Sequence, residues 1–418
     1  MKKMLSVSFF TALLTLLRIG AGFIVMKIVA VYTGPSGIAL IGQVQNFATI
    51  LNGAVSSPGS TAVVRYTAEN ADKGFEYCSP WWKASLRWIL ILLVPCAGLS
   101  IVFSAHISEI LFERREFAWL VAIIGSLLPL SVIGTLVNSV INGQQQYRRY
   151  VALGMISVVV STVIMLALVH FMGLNGAILA AGIQTALIGI IMLFSSIRQP
   201  WFKLKYWIGS VEPEKKNAIA GYLIMTIVSV IAMPISIMAL RGMIANQLGW
   251  AEAGQWQVVW KISEVYLSVI TISLSTYYLP KLSSLINYDQ IKKEINLTAF
   301  VVFPLVSILA ICVYLSRDIV LSILFTSDFS SARNLFGIQL IGDVLKILSW
   351  LYAYPMISRG STKWFVSTEI FFSFSLVVLS WYLIRYFGLQ GANYAYALNY
   401  LFYFIFVFLN LKRVVVKS

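Results

Sequence analysis

Lys261 and Glu264 stand three residues apart, and so do Asp343 and Lys346, each pair inside a long apolar run. On a helix, a spacing of three puts two side chains on one face, so each pair can meet. Neutralisation explains how such residues are tolerated there. It does not explain why they are present, since a charge at the centre of a membrane helix costs about 2.5–3.5 kcal/mol and intramembrane charges ordinarily serve binding, proton transfer or gating. Two further cations, Arg18 and Lys27, lie in the first apolar run. At about 100° per residue they fall on opposite faces of a straight helix. Gly20 and Gly22 lie between them, and a bend or local unwinding there would bring both toward one cavity.

The charges belong to wider polar stripes. Gln257, Lys261, Glu264, Ser268, Thr271 and Ser275 follow a 4-3-4-3-4 spacing, which marks one face of a helix. Gln45, Thr49, Asn52 and Ser56 repeat that pattern near the start of the chain; Ser131, Thr135, Asn138 and Asn142, and again Gln339, Asp343 and Lys346, mark two further runs. Ser and Thr alone would read as hydrogen-bonding glue between helices. Four charges on two helices point instead to inward faces lining a water-filled cavity. Arg18, Lys27, Lys261 and Lys346 outnumber Glu264 and Asp343 there, which favours an anionic ligand. Amides and aromatics such as Asn52, Gln339, Trp260 and Trp350 would suit sugars.

Other chemistries have little material. The two histidines, His106 and His170, are far apart, and Cys78, Cys96 and Cys312 show no paired spacing. Neither a metal centre, a disulfide framework nor a Ser-His-Asp site is indicated, and no catalytic residue or cofactor is expected.

The elements that must position these residues are membrane helices. Of 418 residues, 59% are hydrophobic and only 11% charged, where a soluble protein carries about a quarter charged. Twelve apolar runs, near 6–32, 37–64, 84–105, 117–142, 150–170, 175–196, 217–242, 254–282, 297–316, 332–357, 365–386 and 390–411, each suffice to cross a bilayer. They are continuous, so they read as helices and not as barrel strands. The first is too long, and too rich in internal cations, for a cleaved signal peptide. Pro58, Pro129, Pro234, Pro304 and Pro355 predict kinks.

Basic residues gather on one side. Lys2, Lys3, Lys203, Lys205, Lys292, Lys293, Lys412 and Lys417 are among them, against only Arg114, Arg115, Arg241, Arg317, Arg333 and Arg385 opposite. Both termini are therefore expected in the cytoplasm. The net charge of +15 then faces anionic lipid and requires no nucleic acid. The segment from Ile197 to Asn217, rich in Trp, Tyr and Lys, reads as a linker lying in the cytoplasmic headgroup region.

The chain also repeats itself. Gly-Leu-Asn-Gly-Ala at Gly173 returns as Gly-Leu-Gln-Gly-Ala at Gly388, and 388 − 173 = 215. Arg148 and Lys363 open matching stretches at the same offset; Ile41 and Ala253 do so at 212, which pairs Gly37 with Gly249. The expected architecture is all-α, with about twelve membrane helices in two six-helix lobes. Residues 1–196 form the first lobe, 197–216 a linker and 217–418 the second. A pseudo-two-fold along the membrane normal relates the lobes around a central cavity, as in parallel-repeat transporters.

Three stretches, RIGAGFIVMKIVAVYTGPSGIALIGQ from Arg18, GQWQVVWKISEVYLSVITISLSTYYLPKLSSL from Gly254 and NLFGIQLIGDVLKILSWLYAYPMISRG from Asn334, resemble the Wzx-type polysaccharide flippases. These comprise the O-antigen translocases and the flippases for lipid III of enterobacterial common antigen, within the multidrug/oligosaccharidyl-lipid/polysaccharide exporter superfamily. The resemblance covers essentially the whole chain. It implies a bacterial inner-membrane protein of polysaccharide biosynthesis that moves an undecaprenyl-diphosphate-linked oligosaccharide to the outer leaflet. Arg18, Lys27, Lys261 and Lys346 would then meet the diphosphate and Asn52 the glycan. Glu264 or Asp343 would serve gating or coupling to a proton gradient, and a polysaccharide polymerase and a chain-length regulator would be partners. A multidrug antiporter of the same superfamily, or a membrane polymerase or ligase, are the rival readings.

Overall fold

The computed structural model describes residues 2–416; Lys417, counted above with the cytoplasmic cations, lies outside them. Among the described residues there is no strand. In chain order the helices are α1 (Lys2–Asn70), α2 (Phe75–Val102), α3 (Ser104–Phe112), α4 (Ala118–Gly143), α5 (Tyr147–Ser196) and α6 (Pro213–Leu248). They continue with α7 (Trp250–Ser273), α8 (Leu279–Ser284), α9 (Tyr288–Leu324), α10 (Phe336–Ser358), α11 (Thr362–Phe387) and α12 (Gln390–Val416).

Among the described residues, ten stretches are long and apolar enough to cross a membrane, and two of them, Phe10–Lys73 and Tyr147–Ser196, run for 64 and 50 residues. A hydrocarbon core about 30 Å thick takes about 20 helical residues, so each of these two holds a pair of crossings. Both are broken at one glycine: Gly34 (φ 63°, ψ −165°) inside α1 and Gly173 (φ 56°, ψ −128°) inside α5. That yields the twelve spans.

Gly20 and Gly22 do not break α1; Gly34 is its one non-helical residue. The unwinding expected between Arg18 and Lys27 is therefore absent. Pro58 likewise lies within continuous helix.

The internal repeat is visible in the backbone. Gly388, the counterpart of Gly173, has φ 57° and ψ −140°. In each copy the second glycine of the motif lies against a carbonyl one turn before the break: a Cβ on Gly176 would fall 1.9 Å from the Leu168 oxygen, and one on Gly391 2.2 Å from that of Leu383. The turn from α4 to α5 matches that from α10 to α11, again with 360 − 145 = 215. Gln145 (φ 53°) and Gly360 (φ 65°) are both left-handed. Gln146 N–H donates to the Ile141 carbonyl at 3.1 Å and Ser361 N–H to that of Met356 at 2.8 Å.

One pairing needs correction. Gly249 (φ 100°) matches Gly34, not Gly37, as the residue that turns the chain. Beyond it, the offset of 212 holds for Gln43 and Gln255. Gln43 Nε2 donates to the Leu111 carbonyl at 3.1 Å, and Gln255 Nε2 to that of Asp328 at 2.6 Å. Each glutamine thus secures the segment that follows the third span of its half.

The chain forms two compact units, one of Met1–Thr33 and Leu40–Ile235, the other of Gly34–Ala39 and Ser236–Ser418. Their division falls within α6 beside Pro234, downstream of the segment 197–216. In the first unit α4 packs along α5; in the second α10 packs along α12.

At Gly173 and Gly388 a side chain would be forced into a backbone region that is essentially glycine-only, at about 1–3 kcal/mol each. Gly173→Ala and Gly388→Ala should each lower the thermal unfolding midpoint in detergent. Gly20→Ala, where an added Cβ meets nothing within 4 Å, should leave it unchanged or raise it.

Candidate functional site

Around α10 the second unit gathers the charges that the sequence singles out. Asp343 is completely buried, and three donors converge on its carboxyl group. Tyr266 Oη of α7 donates to Oδ2 at 2.8 Å, Tyr396 Oη of α12 to Oδ1 at 2.9 Å, and Gln339 Nε2 of α10 itself to Oδ1 at 3.2 Å. One side chain therefore ties three helices together.

The two pairs expected at i,i+3 behave differently. Lys261 and Glu264 meet, Nζ to Oε2, at 2.9 Å, and both side chains are about half exposed. Trp260 Nε1 donates to the other oxygen of Glu264 at 3.0 Å. Asp343 and Lys346 form no ion pair, contrary to expectation, because the tyrosines and Gln339 already occupy the carboxyl group. The Lys346 ammonium lies instead among aromatic rings: Trp350 at 5.0 Å, Trp260 at 5.6 Å, Tyr400 at 5.7 Å and Tyr396 at 5.9 Å from their centroids. A cation over a ring face is attracted by about 0.5–2 kcal/mol. Asp343, Glu264 and Glu369 act on it electrostatically without touching it.

Two residues join the cluster that sequence reasoning missed. Arg241, assigned to the outer loops, is 1% exposed within α6. Its Nε and Nη2 donate to Gln257 Oε1 at 2.9 and 2.6 Å, and its guanidinium lies 6.0 Å from the Trp256 ring centroid. The clue was its place within an apolar helix that runs on to Leu248. Glu369 of α11 has no charged partner three or four residues away, so spacing gives no signal for it. With both counted, the cluster holds three cations (Arg241, Lys261, Lys346) and three carboxylic acids (Glu264, Asp343, Glu369).

Arg18, Lys27 and Asn52 lie in the other unit. Arg18 is exposed and Lys27 half-buried. Asn52 Nδ2 donates to Thr135 Oγ1 at 3.3 Å, joining the polar stripes of the second and fourth spans as their spacing predicts. Where the second unit has Lys346 beside Tyr400, the repeat offset of 215 gives Ser131 and Thr185, whose hydroxyls lie 3.0 Å apart. Asp343 maps onto Leu128. The repeat preserves the backbone and discards the charge.

With this geometry in view, comparison with known proteins narrows the possibilities. The model of the polysaccharide biosynthesis protein family matches residues 5–285. The chain is 29% identical over 405 residues to the lipid III flippases of Escherichia coli K12 and Shigella flexneri, covering 95% of each partner. In structure it is similar to a multidrug resistance MATE family transporter of the MOP superfamily in an inward-facing conformation, with a TM-score of 0.74, 14% identity and coverage of 97% of this chain and 99% of that one. A MOP superfamily transporter from Pyrococcus furiosus also matches, with a TM-score of 0.69, 13% identity and coverage of 98% and 96%. At these identities the two structures establish the fold alone: a polytopic all-α transporter fold.

Removing the Asp343 side chain strands three donors in a dry interior. Asp343→Ala should therefore destabilise the protein by about 3 kcal/mol or more. Asp343→Asn, which keeps an acceptor, should cost distinctly less. Thermal unfolding of the two variants in the same detergent gives the comparison.

Proposed function

The chain belongs to the polysaccharide biosynthesis protein family, and on that premise we propose that it is a flippase. Its cargo is an undecaprenyl-diphosphate-linked oligosaccharide repeat unit, of O-antigen or common-antigen lipid III type. It carries this unit from the cytoplasmic to the periplasmic leaflet of the bacterial inner membrane by alternating access. Both termini lie in the cytoplasm. The protein acts as a transporter and not as an enzyme, and hands its cargo to a polymerase working with a chain-length regulator.

The observation that carries this reading is the Lys346 ammonium, held inside a membrane helix with no carboxylate in contact. Ring faces offset only part of the cost of desolvating it, so an arriving phosphate gains an ion pair without first breaking one. Lys261 already has Glu264, and Arg241 already has Gln257. Lys346 is therefore the first diphosphate ligand of the second unit, with Lys261 contributing once Glu264 is displaced. Arg18 and Lys27 are the cations of the first unit, and Asn52 a polar contact to the glycan. Glu264, half exposed and paired with a lysine, is suited to coupling or gating; Asp343, held by three donors, is suited to holding α7, α10 and α12 in one of two arrangements.

A multidrug antiporter would share this fold. A lysine such as Lys346, with no carboxylate in contact inside a membrane span, disfavours the cationic drugs that such a protein expels. A polymerase or ligase would need a sizeable outer loop, and the connections near 103–117 and 325–335 are short.

Deleting the gene and analysing lipid-linked glycans by mass spectrometry tests the proposal. An intact repeat unit should accumulate on its undecaprenyl carrier on the cytoplasmic side. Drug sensitivity with unchanged glycans would overturn it. In complementation, Lys346→Ala and Lys261→Ala should each lower translocation about tenfold or more, the equivalent of about 1.4 kcal/mol. Lys292→Ala, an exposed charge at the start of α9, should have little effect.

A further inference from the structure

The segment joining α5 to α6 is a built element fastened to α2. Trp201 is 1% exposed. Trp207 stacks on Trp82 with centroids 5.0 Å apart and planes at 18°, and its Nε1 donates to the Trp201 carbonyl at 3.1 Å. Ser79 Oγ of α2 donates to the Tyr206 carbonyl at 2.9 Å. At the far end, Trp88 Nε1 donates to the carbonyl of Lys216, whose ammonium lies 5.5 Å from the ring centroid of the same tryptophan. Two short 3-10 turns, Pro200–Phe202 and Leu204–Tyr206, lie between these fastenings.

With its indoles turned inward, the element displays aliphatics outward. Leu204 is 72% exposed and Ile208 63%. Lys203 and Lys205 are exposed beside them, and Arg198 precedes them. Residues 198–211 contain these three cations and no acidic residue. The nearest carboxylate, Glu76, lies a loose 3.9 Å from Lys205 with both side chains exposed, while Glu212 is taken by Lys215 at 2.8 Å. An apolar pair flanked by cations, a few residues beyond the end of a membrane span, is placed at headgroup depth. We propose that this element docks on the anionic phospholipid surface of the cytoplasmic leaflet. Leu204 and Ile208 insert beneath the headgroups, and Lys203 and Lys205 bear on the phosphates. Each such lysine adds to the attraction of an anionic surface. Because the element is bonded to α2 and to the start of α6, docking also fixes the depth of both helices, so the composition of the inner leaflet acts on this unit directly.

The test uses the full chain with Cys78→Ala, Cys96→Ala and Cys312→Ser, to which a single Leu204→Cys or Ile208→Cys is added and labelled with an environment-sensitive fluorophore. Asp72→Cys is the loop control. In vesicles of phosphatidylcholine with phosphatidylglycerol, probes at 204 and 208 should shift to the blue and be quenched by lipids carrying a nitroxide near the headgroup. The control should do neither. In pure phosphatidylcholine both signals should weaken severalfold, and Lys203→Glu with Lys205→Glu should erase the dependence on phosphatidylglycerol while leaving the thermal midpoint in place. A water-like emission at 204 and 208 in both lipids would overturn the proposal, as would an emission indifferent to phosphatidylglycerol. So would a blue shift that appears in lipid-free micelles as protein concentration rises, the mark of a second copy. No substrate is present, so failure here leaves the flippase reading untouched.

Discussion

Hydrocarbon offers no hydrogen bonds, so a polar group within a membrane span must find its partners in its own chain. The carboxyl group of Asp343 shows how far that requirement organises the second unit. Its donors come from α7, α10 and α12, so the three helices share one register. The rings around Lys346 come from the same three: Trp260, Trp350, and Tyr396 with Tyr400. Tyr396 does both jobs, its hydroxyl on Asp343 and its ring face toward Lys346. By engaging the acid, it keeps the acid and the base of one helix from neutralising each other, and the ammonium remains available.

The same rule explains an irregularity next to the cluster. Pro355 has no N–H, so the carbonyl four residues earlier, that of Leu351, loses its helical donor. Tyr278 Oη donates to that carbonyl at 2.9 Å from a fully buried position. Tyr278 closes a π-helical turn, Leu274–Tyr278, that joins α7 to α8. Such turns mark local adjustments inside helices and are frequent at functional sites. Here the extra residue in the turn and the missing donor in the neighbouring helix compensate one another, and the eighth and tenth spans are held together below the charged cluster.

Much of this was legible in the sequence, because lipid makes the code simple. Continuous apolar runs give the spans, and a repeated Gly-Leu-x-Gly-Ala gives the turns, since only glycine fits both the left-handed backbone at Gly173 and Gly388 and the carbonyl contacts at Gly176 and Gly391. The pairing of Lys261 with Glu264 followed from spacing alone. Spacing failed at Asp343 and Lys346 because it speaks only of neighbours on one helix. Tyr266 and Tyr396, which decided the outcome, lie on other helices, and Tyr266 is about 200° around α7 from Glu264, off the polar stripe. Arg241 was misplaced for a related reason. A lone cation near the end of an apolar run reads as a loop anchor until its partner, Gln257, is seen across the fold.

The repeat sharpens the meaning of the charges. Two halves with matching turns and matching glutamine latches should carry matching chemistry if the charges were needed for folding. They do not: Ser131 and Thr185 stand where Lys346 and Tyr400 do, and Leu128 where Asp343 does. The first unit builds the same backbone with Ser131, Thr185 and Leu128 at these positions, so the fold by itself does not call for ions there. They also balance, three cations against three acids, whereas Arg18 and Lys27 stand in a helix with no acidic residue before Glu69. On the proposed reading, these two cations join Lys346 in meeting the diphosphate. Beside Lys346 the second unit adds aromatic faces and tyrosine hydroxyls, which, like the amide of Asn52, suit a glycan. A lipid-linked oligosaccharide combines these two chemistries in one molecule, and a small drug does not.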